Sequence, residues 1–224
     1  LGDKSPLDER APEDLGRFGM GLKTASFSQC RRLTAASVKE GCSPCCLRWD
    51  LDALAARPDD GWLLFEGPAE GSEAFLEPLS GRSAGTLILW EKLDRIVTEG
   101  SSADDFADLI DGVEVRLAMV FHRLLQGPYP ALRLLLNGRP INSWDPFMSG
   151  HPAKPWESPV AKQYSGSGFV EVECHVLPHR DLLSPAEFKR AGGPEGWTAQ
   201  QGFYVYRNKR LLLAGGWLGL GQGR

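Results

Sequence analysis

The chain has 224 residues and a mass of 24.6 kDa, with 42% hydrophobic, 24% charged and 9% aromatic residues, which predicts a soluble, globular protein of one large domain or two small ones. Its 25 Lys and Arg against 29 Asp and Glu leave a net charge of -4, which argues against a protein built mainly to coat nucleic acid or a membrane surface. No run approaches the roughly 18 apolar residues of a membrane span, and LGDKSPLDER lacks the basic start and apolar stretch of a signal peptide, so a cytoplasmic location is expected.

Residues 1–15 are polar, with Pro6, Pro12 and seven charges and no hydrophobic period, and predict a mobile loop. The chain begins at Leu1 rather than Met and stops in the Gly-rich GGWLGLGQGR, the look of a piece of something longer. Gly16 to Gly21 lead into a short helix from Leu22. Strands are then predicted at Leu33 to Val38, Cys46 to Leu51, Gly61 to Glu66 and Gly85 to Leu93, each a short apolar or β-branched run bounded by turn residues. From Ser102 to Gln126, apolar residues Phe106, Leu109, Ile110, Val113, Leu117, Val120, Phe121 and Leu124 recur at steps of three and four. With Ser102, Asp104 and Asp105 at the start and Gly127-Pro128 at the end, this predicts one long helix with an apolar face laid on the preceding strands.

Ala131 to Asn142 predicts two strands about an Asn137-Gly138 turn. Ser143 to Ser167, rich in Pro, Gly, Ser and Trp, predicts a domain boundary or long connection. A strand at Gly168 to Val176, a helix near Ser184 to Glu187 and a hairpin from Gly202 to Ala214 turning near Asn208 complete the series. Mixed elements of this order define an α+β protein.

The five cysteines are odd in number and without a secretory context, which argues against a disulfide framework. Cys42-x-x-Cys45-Cys46 lacks a second ligand pair at zinc-finger spacing, since Cys174, His175 and His179 are distant, so these thiols are expected on a loop between strands and no metal site is assigned.

The segment with chemical content is Leu15-Gly16-Arg17-Phe18-Gly19-Met20-Gly21-Leu22-Lys23-Thr24-Ala25-Ser26. Its glycines let backbone N–H groups converge, and a helix start adds free amides and a positive dipole end, a combination suited to phosphate. Lys23 adds charge, and Thr24 or Ser26 a hydroxyl. Leu22 stands between the last glycine and Lys23, which excludes a Walker A loop, and Gly19-x-Gly21 follows no strand, which excludes a dinucleotide fingerprint.

A polar loop, then G-x-x-G-x-G-L-K-[ST], strands, and Gly85-Thr86 opening a later strand resemble the GHKL ATPases: gyrase B, heat-shock chaperones, histidine kinases and MutL. GRFGMGLKTASFSQC is most similar to the MORC-like branch. The resemblance implies a two-layer α/β sandwich of the Bergerat type, partial here, over residues 1–145, with a linker and the start of a transducer domain over 146–224. It implies ATP with Mg2+ as cofactors and a cofactor site of Gly16, Arg17, Phe18, Gly19, Met20, Gly21, Leu22, Lys23, Thr24 and Thr86. Residues 1–15 would complete a lid, Lys23 would lie beside the phosphates, and the Thr86 hydroxyl would serve the network under the adenine.

The resemblance also implies homodimerisation on ATP binding, with DNA contact a further expectation for the intact protein through Arg207, Lys209, Arg210 and Arg224. The family's water-activating glutamate, Mg2+-ligating asparagine and Asp-x-Gly motif have no match in residues 1–15, so no catalytic residue is assigned. The parent is expected to be an ATPase and this stretch alone not to hydrolyse ATP. The rival reading is a non-catalytic interaction module that uses an ATPase-like domain for dimerisation or DNA contact. His122 is expected at packing or at a rim, and His175, His179 and Asp181 form an acid/base pairing that no nucleophile accompanies.

Overall fold

A computed structural model describes residues 21–128, 130–166 and 168–220. The fold is α+β, and the chain falls into two compact units, Leu1–Ala107 and Asp108–Arg224.

In the first unit, α1 (Gly21–Phe27) leads to β1 (Arg32–Val38) and β2 (Cys45–Asp50), then α2 (Leu51–Ala56), β3 (Phe65–Glu66) and β4 (Gly85–Glu91). The four strands form one antiparallel sheet in the order β3-β2-β1-β4. Asp50 ends β2 and caps α2, accepting from the backbone N–H of Asp52 and Ala53. Of the strand expected over Gly61 to Glu66, only Phe65–Glu66 is laddered: a 3-10 turn at Pro58–Asp60 and a left-handed Gly61 (φ 71°) redirect the chain, and Trp62 stays 77% exposed. Cys45, expected on the loop, opens β2 one residue ahead of the strand start expected at Cys46.

Strand alternation sorts the sheet into two faces. On one face the register aligns Trp49, Leu33 and Trp90, then Leu47, Ala35 and Ile88, then Cys45, Ser37 and Thr86. The first of these rows is covered by α1, where Cys30, Leu33 and Trp49 form a core with Phe27 and Leu93. On the opposite face the first row is charged: Arg32 stands between Asp50 (Nε–Oδ2 2.7 Å) and Glu91 (Nη1–Oε1 3.5 Å). Ser72 Oγ donates to the same Glu91 oxygen at 2.6 Å. Arg48 lies over the Phe65 ring at 5.1 Å on this face, where its strand pairs with β3.

The helix expected over Ser102 to Gln126 is interrupted at Phe121 (φ -107°, ψ 11°), giving α3 (Ala103–Val120) and α4 (His122–Leu125). Ser102 Oγ accepts from Asp105 N–H while Asp105 accepts from Ser102 N–H, a capping box with aspartate in the usual glutamate position. Phe106, Leu109 and Val113 of the apolar stripe remain exposed, whereas Ala118 and Met119 are buried.

The second unit contains four two-stranded antiparallel ladders. They are β5 (Leu135–Leu136) with β6 (Arg139–Pro140), β7 (Trp156–Glu157) with β10 (His175–Val176), β8 (Ala161–Ser165) with β9 (Gly168–Val172), and β11 (Val205–Arg207) with β12 (Arg210–Leu213). Asn137 and Gly138 (φ 50° and 79°) make the expected primed turn, and Asn208 and Lys209 (φ 48° and 64°) make a second. β7 and β8 fall where a connection was expected, and β9 and β10 divide the single strand expected at Gly168 to Val176. Helix α5 (Pro185–Ala191) begins with a Ser184/Glu187 capping box. Gly202 meets Gly216 in a parallel bridge so close that a Cβ on Gly202 would lie 2.1 Å from the Gly216 carbonyl oxygen.

Candidate functional site

Gly16, Arg17, Phe18, Gly19 and Met20 of the expected phosphate loop lie outside the described residues, as do residues 1–15. Gly21, Leu22, Lys23 and Thr24 form the first turn of α1. At seven residues this helix is too short to hold alone. It is fastened at its far end. Ser26 is fully buried and accepts from Trp90 Nε1 at 2.9 Å, while Phe27 packs on Leu33 and Trp49. Ser26, offered by the sequence as a phosphate-binding hydroxyl, is therefore a tie between helix and sheet.

Lys23 Nζ sits 5.2 Å from the Trp49 ring centroid, a cation–π placement at the edge of the α1-covered row. Thr24 Oγ1 donates to the Gly21 carbonyl at 3.3 Å. Thr86 lies on the same sheet face as α1, at the other end of β4. Ser37 Oγ is 3.2 Å from the Gly85 carbonyl, to which it donates, and 3.1 Å from Thr86 Oγ1. With the Ser37 proton so engaged, the Thr86 hydroxyl serves as the donor in their bond, and its oxygen keeps acceptor capacity.

Trp90 lies four residue steps beyond Thr86, about 13 Å along β4. The floor between the α1 end and Thr86 is Ala35, Leu47 and Ile88, with Ile88 38% exposed. The structure thus brings Lys23 and Thr86 onto one face as the two ends of an apolar strip. Sequence reasoning missed Ser37 and Trp90 as the partners of Thr86 and Ser26. The alternation of LTAASV and GTLILWE was the signal, but only register shows which hydroxyls meet.

His122, expected at packing or at a rim, is packed against Phe147 and Tyr206. His122, 2% exposed, stands in a polar network inside the second unit. Its Nε2 and Tyr206 Oη share a hydrogen bond of 2.8 Å, and Gln126 Nε2 approaches its Nδ1 at 3.5 Å. Burial and the neighbouring Arg123 push His122 down to about 4 against the opposing pull of Asp145, whose Oδ1 is 3.8 Å away. Burial pushes Tyr204 up to about 12 and Tyr206 higher still. His179 and Asp181 do meet, Nδ1 to Oδ2 at 3.4 Å, but on the surface. His175 stacks separately on Phe147 at 4.1 Å.

Arg210 lies over the Phe121 ring at 5.7 Å, and Arg224 lies outside the described residues. Among the described residues, no group of three or more His, Cys, Asp or Glu is placed to hold a metal ion, and no helix is long and apolar enough to cross a membrane.

Residues 1–86 match the family model described as histidine kinase-, DNA gyrase B- and HSP90-like ATPase. The match supports the GHKL resemblance for that stretch and ends on Thr86. No curated protein and no solved structure matches the chain.

Proposed function

We propose that the chain carries the lid and later portion of a GHKL-type ATP-binding domain of the MORC-like branch, over residues 1–145, followed by the start of a transducer domain over 146–224. ATP phosphates bind the Gly16 to Gly21 loop and the first turn of α1 beside Lys23, and the base lies toward Thr86. The carrying observation is that Lys23 and Thr86, 63 residues apart in the chain, share one face of the sheet across an exposed apolar strip, within the stretch that matches the ATPase family. Ala35, Leu47 and Ile88 suit a flat base, and the Thr86 oxygen, as an acceptor, suits an amino group or a bound water.

Magnesium belongs to the intact family site. Nucleotide ordering of the lid creates the dimer surface, and loss of the γ-phosphate reopens it.

The experiment is titration of the full-length protein with a non-hydrolysable ATP analogue, followed by sedimentation. Saturable binding and dimerisation are expected. Lys23→Ala removes one charge-assisted contact and should weaken binding about 10- to 100-fold, with Gly19→Val weakening it further. Neither binding nor dimerisation in the wild type sinks the proposal.

The rival, an interaction module without nucleotide, is favoured by one observation: the β8–β9 hairpin exposes Tyr164, Phe169, Val170 and Val172, at 70%, 56%, 60% and 52%. Under that reading the two loop variants leave partner binding unchanged.

A further inference from the structure

The cysteines of the β1–β2 hairpin take no part in the site described above, and their placement separates them sharply. Cys42 lies in the connecting loop, where its N–H donates to the Lys39 carbonyl at 3.0 Å, and Cys45 is the first residue of β2. Both thiols are free, and both residues are exposed. Cys46 follows on the same strand, so its side chain points to the opposite sheet face. There burial pushes its thiol up, away from the reactive thiolate. Cys30 is 1% exposed in the core under α1, and Cys174 belongs to the other unit.

Cys42, three residues from Cys45 along the chain, is its nearest exposed thiol in the sequence. The chain between them is Ser43-Pro44, which joins no strand or helix. Three residues reach at most about 10 Å, so the chain between them permits the Cα spacing of about 4.4–6.8 Å that a disulfide needs. We infer that Cys42 and Cys45 form a reversible dithiol–disulfide site whose co-substrates are low-molecular-weight disulfides of the glutathione type.

The chemistry balances without any other oxidant. One protein thiolate attacks glutathione disulfide, forming a protein–glutathione mixed disulfide and releasing one glutathione thiolate. The second protein thiolate attacks the protein sulfur of that bond and expels the second glutathione. The two protein thiols lose two electrons and two protons, and two glutathione thiols carry them away. A pair that opens and closes in this way fits a chain with an odd cysteine count, because it does not serve as a permanent framework. Cys45 shares its cross-strand row with Ser37 and Thr86, so the bridge would form about 10 Å, two strand spacings, from the Thr86 hydroxyl. The inference itself stands apart from nucleotide binding.

The test equilibrates the full chain in glutathione buffers of increasing oxidised fraction under nitrogen, followed by acid quench, alkylation and peptide mass mapping. In the wild type, Cys42 and Cys45 should become protected together with the loss of two hydrogens, while Cys30 and Cys46 stay alkylatable, and dithiothreitol should restore both thiols. Cys42→Ser and Cys45→Ser should each lose the bridge completely and carry a single glutathione on the remaining cysteine. Three outcomes overturn the inference: glutathione on both cysteines of the wild type, a bridge from Cys45 to Cys46 or Cys174, or a wild type that stays reduced in buffers that glutathionylate the single variants.

Discussion

Replacing Ser26 by alanine tests the fastening of α1. The hydroxyl is fully buried and its bond from Trp90 Nε1 is 2.9 Å, a normal neutral hydrogen bond. Such a bond contributes about 1 kcal/mol net, and an indole N–H left without a partner beneath the helix adds a further cost, so Ser26→Ala should destabilise by about 1–2 kcal/mol. At a urea dependence of about 2 kcal/mol/M, that lowers the midpoint by roughly 0.5–1 M. Trp90→Phe removes the donor and some packing. In the double variant the two costs should fall short of their sum by about 1 kcal/mol, because the second change no longer breaks a bond or strands a group. The assay is urea unfolding of the wild type, both single variants and the double variant, followed by fluorescence and circular dichroism. Additivity within about 0.3 kcal/mol would refute the claim that this bond ties helix to sheet.

Burial alone would raise the Asp50 carboxyl, but Arg32 and the Ala53 N–H more than offset it and hold the group below its ordinary value. Asp50 therefore stabilises the fold above its unfolded pKa of about 3.9, and that contribution fades as pH falls through the lower folded value. Asp50→Asn should cost about 1–3 kcal/mol at neutral pH and flatten this acid limb in urea midpoints measured from pH 5 to 2. His122 titrates in a separate window. Held near 4 when folded, it is neutral in the native state, so stability is complete above pH 6.5 and falls toward pH 4, by up to about 3 kcal/mol, as the unfolded chain takes up the proton. His122→Gln should remove that slope in thermal midpoints, and a slope that persists in the variant would contradict the burial account. Lys209 holds a left-handed φ of 64°, and Lys209→Gly should raise stability by about 0.5–1 kcal/mol in the same thermal assay, whereas a loss would show that the turn gains more from the side chain than it spends on the backbone.

The sheet was largely legible because LTAASV, CLRWDL and GTLILWEKL announce strands through β-branched and alternating residues, and β1, β2 and β4 fall there within a residue or two. The Asn137-Gly138 turn and the Ser184 cap were equally plain, since each depends on backbone chemistry local to a few residues. Helix α3 ran short because apolar periodicity continues past Phe121 although the backbone does not. Residues 161–165, Ala-Lys-Gln-Tyr-Ser, carry no two-sided pattern, and β8 exists through its pairing with β9. At the site, the sequence named Lys23 and Thr86, but Ser26 was misjudged because its burial depends on Trp90, sixty-four residues away. Arg32, Asp50 and Glu91 went unnoticed for the same reason. An ion-paired row across three strands has no signature until the register is known.

The seating of α1 between two indoles has an optical consequence. Lys23 places a positive charge over the Trp49 ring and Ser26 takes the Trp90 N–H, so both chromophores are electronically marked by the docked helix. Release of that helix would strip the charge from one indole and hand the other's N–H to water, and both changes alter emission. Trp62, the other indole of this unit among the described residues, already sits 77% exposed and would change little. The segment that follows the glycine loop thus carries its own label, and movement at the head of the domain can be followed in native fluorescence without adding a dye.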